Sequence, residues 1–576
     1  METKKISDPR PLERFQWIKD AREVDPVNLE PPVSNTDSLL KKAVISSGLE
    51  KYSGSWGVYE ARHLLSRTMF GVKKENLDNF SKLSMDGAVE KLIAESLLPE
   101  PPVNNYEGYK DAKDPHVGLG ETWIKAPHGS SAESLRVVSL KTWLIKNIIN
   151  QEATIHEKMV LFWSNLLVTK VWDVYIAKAS YRYFEMIYKN ALGNYKAFIR
   201  ALTLDPSMLY FLNGKSNTKN APDENYAREL QELFCVGKGP DSKYTEGDVQ
   251  NAARILTGYR VKREPYYNEG DFSYYFDHFK HDKSNKKFSE FYDNTIIEGK
   301  PGGQGREELT ELLDMIFNNQ ETAKYICRRI YSFFVSNLIT EDVEQKIITP
   351  LAEIFRSNNY EIKPVLLTLF KSEHFFDIQN RGVLIKSPLD HLLGLWRAFD
   401  IDSKEDDDLV TDYEKHRTML WSMSSLGMEI GDPPNVAGWT PYYQAPQYDK
   451  AWITTTTITK RASQTDSLIN WGFWISRSRK IKVDLVEFVK TLDKPSDPNL
   501  LLKEVTSLFL GVEISELVLN QLKSVLLSGQ QNDYYWTNAW NEYLEDQQSN
   551  SKRSIVESRL KSTFKQILQL GEYHLM

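Results

Sequence analysis

The densest cluster of residues able to do chemistry lies in DHFKHDKSNKK, residues 277–287, where Asp277, His278, His281 and Asp282 fall close together. Imidazole is the commonest side-chain ligand for borderline divalent metals and the usual general base near neutral pH. The spacing HxxHD can present an imidazole and a carboxylate to one ion, but zinc needs three or four protein ligands, so others must come from elsewhere in the chain. Glu229, Glu232 and Asp248, in the segment 222–259, are carboxylates able to complete the set. The candidate metal group is therefore His278, His281, Asp282, Glu229 and Glu232, with His281 and Asp282 as candidate catalytic residues. The competing reading is that His281 hydrogen-bonds within the fold and ties its segment to 222–259, because buried polar groups normally find partners.

The elements that must position these groups are helices. PDENYARELQELFCVGKGPDSKYTEGDVQNAARILTGY, residues 222–259, reads as a helical hairpin. Asp223 is a good N-cap, Tyr226, Ala227, Leu230, Leu233 and Phe234 recur at helical spacing, and Gly237 is a natural stop. The second helix starts at Thr245 with Asp248 three residues on, a capping-box pattern, and buries Val249, Ala252, Ala253 and Leu256 before Gly258. Glu224, Arg228 and Glu232 follow one another at i, i+4 steps, which reads as a solvated salt-bridge ladder. Asn225, Arg228, Glu229, Asp248 and Arg254 form the polar set of this motif. A second polar-aromatic motif, PPNVAGW at 433–439, combines Asn435 and Gly438, which permit tight turns, with Trp439. That ring either plugs the helical core or stacks on a ligand.

Taken in order, these motifs resemble a bacterial family called domain of unknown function 1800. ARHLLSRTMFG (61–71) resembles the family's opening, EKMVLFWSNLLVTK (157–170) its aromatic block, PPNVAGW its turn, and the final GEYHLM its ending. With 222–259, the resemblance runs from about residue 58 to the C-terminus. The departures are as informative. The family's aromatic block typically reads Phe-Trp-His-Asn-His, whereas this chain has Phe162, Trp163, Ser164, Asn165 and Leu166. Phe234 stands where the family commonly has a histidine after its Glu-Leu pair. His63 remains, as does His281–Asp282, followed by Lys286 or Lys287.

If relatives use those histidines for a metal or for protons, the resemblance implies a diverged, non-catalytic member acting as a helical scaffold or binding partner in a larger assembly. If the histidines only hydrogen-bond in the core, Ser, Leu and Phe repack the same space. The family is often encoded beside another, domain of unknown function 1501, which resembles alkaline phosphatase-like hydrolases, and a protein of that kind is the implied companion. The alternative function is a metal-dependent hydrolase using His281, Asp282 and a carboxylate of the 222–259 motif, with a divalent metal as cofactor.

Composition narrows the class. At 576 residues the chain exceeds the roughly 250–300 at which single cores usually divide. The expected fold is therefore mainly α, a multi-helix globular protein of two or more packed helical subdomains. Residues 1–57 read as a polar arm, 58–480 as the helical family core and 481–576 as a C-terminal helical region packed on it. Apolar runs at helical period include Leu135–Ile149, His156–Val168 and Tyr181–Leu202. Trp536, Trp540, Tyr543 and Leu544 form one late stripe, and Ile555, Val556, Leu560 and Phe564 another. Between 262 and 305 the pattern changes to an aromatic loop or short strand pair carrying Tyr266, Tyr267, Phe272, Tyr274, Tyr275, Phe276, Phe279, Phe288 and Tyr292.

A formal charge of -7 and the lack of a long Lys/Arg tract argue against nucleic acid as a partner. The two cysteines, Cys235 and Cys327, cannot supply a disulfide framework. No Gly-rich phosphate loop, GxSxG elbow, HExxH or dinucleotide fingerprint occurs. The N-terminus lacks the apolar stretch of a secretory signal, and no segment approaches the ~20 apolar residues of a membrane helix. The expected location is cytoplasmic, or exported in complex with a signal-bearing partner.

Overall fold

Helical periodicity governs the chain, and the computed structural model describes it over residues 45–129, 131–262, 268, 272–401, 408–475 and 479–576. Most of the proposed arm (1–44), Tyr266 and Tyr267 lie outside the described residues. The principal helices of the first half are α1 (Val58–Thr68), α2 (Glu133–Ile149), α3 (His156–Leu166), α4 (Ala177–Asn190), α5 (Tyr195–Thr203), α6 (Asn225–Glu229) and α7 (Glu246–Ile255). They are followed by α8 (Glu307–Asn318), α9 (Gln320–Phe334), α10 (Pro388–Ala398), α11 (Thr455–Asn470), α12 (Pro498–Phe509), α13 (Tyr534–Glu545) and α14 (Asn550–Gln569). The run Tyr181–Leu202 is two helices rather than one. It breaks at Gly193, and the Asn194 side chain caps α5 by accepting from the Ala197 amide.

The core is built around α3, every residue of which is buried. Trp163 stacks on Tyr195 at 5.0 Å between ring centroids and donates from its indole to the Ala191 carbonyl at 2.9 Å. Burying such a side chain stabilises by about 1.5–3 kcal/mol, and satisfying its N–H removes the penalty of an orphaned donor. Arg397 on α10 serves the end of α2, donating from one nitrogen to the carbonyls of Ile148, Ile149 and Gln151. It thereby satisfies acceptors that a helix C-terminus leaves open.

One contiguous apolar cluster includes residues from Ala61 to Tyr573, so the late helices share the core of the early ones. The seam is aromatic: Phe399 packs against Phe488, Phe509 and Phe564 at 4.9, 4.9 and 5.8 Å. At another seam the turn after α1 meets α10 backbone to backbone. A Cβ on Gly71 would lie 2.2 Å from the Gly394 carbonyl oxygen, and Gly71 has φ +70°, so only glycine fits. In the late stripes Trp536, Trp540, Tyr543, Val556, Leu560 and Phe564 are buried, whereas Leu544 and Ile555 face outward. The apolar arc of these helices is thus narrower than their sequence suggests.

The excursion after α7 forms two small antiparallel hairpins, β1 (Tyr259–Val261) with β2 (Tyr274–Phe276) and β3 (Lys286–Lys287) with β4 (Ile296–Ile297). Phe272, Phe276, Phe288 and Tyr292 point inward, and Tyr274, Tyr275 and Phe279 outward. The strands do not alternate strictly, since the adjacent Tyr274 and Tyr275 are both exposed and Phe276 alone of β2 is buried.

Candidate functional site

The hairpin 222–259 forms largely as its sequence dictates, with departures at its cap, in its last turn and in its charge ladder: the N-cap position falls on Glu224 rather than on Asp223. Asp223 sits just before α6 and accepts from the Asn225 amide at 2.9 Å. After Glu229 the helix widens into a π-helical turn, Leu230–Cys235, and the Val236 amide bonds back to the Gln231 carbonyl at 2.8 Å. This last turn leaves carbonyls open, as a helix C-terminus does, and distant hydroxyls take them. Tyr195 donates to the Phe234 carbonyl at 2.6 Å and Tyr325 to that of Leu233 at 2.8 Å. The Gln231 side chain bridges the Ala227 carbonyl and the Tyr292 hydroxyl. Such turns are rare and frequently mark functional positions.

The second helix, α7, opens with the expected capping box between Thr245 and Asp248. Asp248 also accepts from the Ser289 amide and hydroxyl, both at 2.7 Å, so its carboxylate fastens the excursion to the hairpin. Arg228 bonds to Glu224 and Glu246, forming the exposed ladder, while Glu232 pairs with Lys238 rather than with Arg228. Asn225 is exposed.

The DHFKHD segment closes over the end of α7 and forms a knot of answered charges. His281 is fully buried, with Nδ1 at 3.0 Å from the Thr257 carbonyl and Nε2 at 3.0 Å from the Glu308 carboxylate. The other Glu308 oxygen meets the Lys286 ammonium, and the Lys300 amide donates to the first at 2.7 Å. Burial pushes the Glu308 carboxyl up, but hydrogen bonds from His281, Lys286 and Lys300 outweigh it and hold the group below its ordinary range. Asp282 lies beside Arg254, Nε to Oδ2 at 3.0 Å, and accepts from the Ser284 amide at 2.8 Å and from the Ser284 hydroxyl. Burial again opposes ionisation, and Arg254 with Ser284 brings the Asp282 carboxyl down to about 2. Both ring nitrogens of His281 and both oxygens of Asp282 are therefore engaged within the protein.

The remaining candidates do not converge on that knot. His278 packs face-near on Phe279, 4.0 Å between ring centroids. Glu229 is different in kind: one carboxylate oxygen is buried without a hydrogen-bond partner. Burial first, and then the neighbouring Glu232 charge, push its carboxyl up to about 7. Among the described residues no group of three or more His, Cys, Asp and Glu is placed to hold a metal ion.

The PPNVAGW turn packs on the C-terminal end of α3. The Trp439 amide donates to the Asn165 side chain at 2.8 Å, and the Trp439 ring is buried. Gly438 has φ +93°, and a Cβ there would lie 2.3 Å from the Asn165 carbonyl oxygen. Asn435 accepts from the Ala437 amide and donates to the Tyr443 hydroxyl, which shapes the turn.

At the three positions where histidines are expected from the resemblance, the side chains do local or apolar work. Ser164 donates to the Leu161 carbonyl of its own helix, and Leu166 and Phe234 are buried in the apolar core. His63 bonds to the Phe375 carbonyl at 2.9 Å and packs against the Phe375 ring at a tilt of 45°.

Sequence reasoning missed Glu308, the carboxylate on which the knot turns. Its signal was its phase: Glu308 falls on the stripe of Leu309, Leu312 and Ile316, the buried face of α8.

The family described as protein of unknown function (DUF1800) matches residues 63–574, nearly the whole chain. No curated protein and no solved structure matches it.

Proposed function

The chain belongs to the family described as protein of unknown function (DUF1800), and on that premise we propose that it is a non-catalytic helical scaffold or binding partner within a larger assembly. One observation carries this reading. The residues most able to ligate or catalyse, His281 and Asp282, are engaged by Thr257, Glu308, Arg254 and Ser284. Ser164, Leu166 and Phe234 extend it, because none offers a ring nitrogen where relatives typically have one. A companion of the domain of unknown function 1501 kind is the proposed partner.

Purification of the tagged full chain from its native cells, with elemental analysis of the recovered material, tests the proposal. One co-purifying large protein in fixed ratio supports it. A stoichiometric divalent metal that disappears in His281→Ala and Asp282→Asn would overturn it.

Glu229 favours a second reading, a hydrolase. A half-buried carboxyl pushed up to about 7 beside a second carboxylate is poised to exchange a proton near neutral pH. In that reading Glu229, not His281, is the general base. Turnover of p-nitrophenyl esters or phosphates with a rise through pH 7, abolished in Glu229→Gln, supports it; equal turnover in the variant excludes it.

A further inference from the structure

Behind α1 lies a group of cations, Arg62 and Arg461 buried and Lys386 half-buried, that the described residues do not neutralise. Arg62 is only 5% exposed, forms no hydrogen bond or ion pair among the described residues, and has its buried Nε without a partner. A guanidinium carries five N–H donors and no acceptor, so burying its Nε without a partner is a costly arrangement in a fold. Arg62 lines a cavity of about 30 Å³ together with Lys386, Asp390, Gly394 and Tyr573. Lys386 has one weak bond, to the Phe509 carbonyl at 3.4 Å, and rests over the Tyr573 ring. Arg461 backs the cavity: it donates to the Lys386 carbonyl at 2.9 Å, while its Nε and a terminal nitrogen are buried and unpaired.

Among the described residues that line the cavity, the one side-chain carboxylate, Asp390, is already used. Asp390 bonds the buried Lys158 ammonium through one oxygen and the Ser387 hydroxyl through the other. Burial pulls the Arg62 guanidinium down to about 9. Lys386 is held well below its ordinary value by burial and then by Arg62, against the opposing pull of Asp390, with Arg461 and Lys158 adding to the fall. The charges disfavour one another in the absence of an anion.

We propose that this cavity is a binding site for an oxyanion held between Arg62 and Lys386. Planar guanidinium donors match the paired oxygens of a carboxylate or phosphate, and an ammonium supplies the second point charge. Arg62 also forms part of the wall of a wider groove of about 510 Å³ that includes Tyr59, Ile378, Leu510 and Val512. Glu513 and Glu516 stand at its exposed rim. The oxyanion is either free phosphate in the cavity alone or the head of an organic acid whose apolar body lies in the groove.

The test uses the full chain in a low-chloride buffer, titrated by calorimetry with inorganic phosphate and separately with octanoate, and followed by thermal unfolding. One equivalent of either probe binds, and Tm rises with its concentration. Arg62→Gln and Lys386→Met each weaken binding about tenfold to a hundredfold, the worth of a charged hydrogen bond. In probe-free buffer Arg62→Gln unfolds at the same or a higher temperature than the parent, because it removes an uncompensated buried charge. Tighter phosphate identifies the free ion, and tighter octanoate the organic acid. Binding of neither probe, or equal affinity in the parent and both variants, overturns the proposal.

Discussion

The His281–Lys286–Glu308 knot and the Arg62–Lys386 cavity both place cationic side chains inside the protein, yet the first supplies every partner and the second does not. In the knot one carboxylate receives an ammonium, an imidazole and a backbone amide. In the cavity two cations face each other, and the nearby carboxylate is bound to Lys158 and Ser387. A residue with ligand chemistry is thus not by itself a mark of function. The informative feature is whether the fold leaves its donors or acceptors unanswered, because completed networks hold structure and incomplete ones await something.

The largest expected effect breaks the completed side. Glu308→Ala strands Lys286 and His281 in a dry interior, and removing one member of a buried charged pair typically destabilises by about 3–5 kcal/mol. Urea unfolding of the variant is expected to show a midpoint lowered accordingly. A triple change, His281→Leu, Lys286→Met and Glu308→Leu, removes every charge at once and is expected to recover most of that loss. If Glu308→Ala unfolds like the parent, the knot does not hold the excursion to the hairpin.

A second test concerns the turn that closes α3. Gly438→Ala sets a Cβ against Asn165 at a backbone conformation that favours glycine. Strain of this kind costs about 1–3 kcal/mol. Thermal unfolding should show the drop, while Asn435→Ala, on the exposed side of the same turn, should change little.

Much of this was readable from the residues alone, and the exceptions share a cause. The caps of the hairpin were legible because Thr245, Asp248, Gly237 and Gly258 act within a few positions of themselves, and both glycines adopt positive φ as helix stops require. The π-helical turn was not, since the hydroxyls that donate to its carbonyls come from Tyr195 and Tyr325, far along the chain. His281 and Asp282 looked like ligands because HxxHD carries no trace of Glu308 or Arg254, the residues that occupy them. The Arg62 cavity was invisible for the same reason: its walls come from residues around 62, 386, 509 and 573, which no local pattern connects. Spacing reports what lies on one helix face, whereas satisfaction of a buried charge is decided by contacts between remote segments.

Glu229 offers the finest test of the comparison, because it is a carboxylate in the position of the unanswered cations. Its carboxyl is raised from 4.5 to about 7, by burial and then by Glu232. As pH climbs through that window the unfolded chain gives up the proton while the folded chain retains it, so stability falls until the folded group also ionises. With partial exposure discounted, the parent should lose about 1–2 kcal/mol relative to Glu229→Gln between those limits. Denaturant midpoints of both proteins, measured at several pH values, give the difference directly. A parallel pH dependence in the two would mean that water or a cation already answers Glu229 in solution, and that its acid–base reading fails.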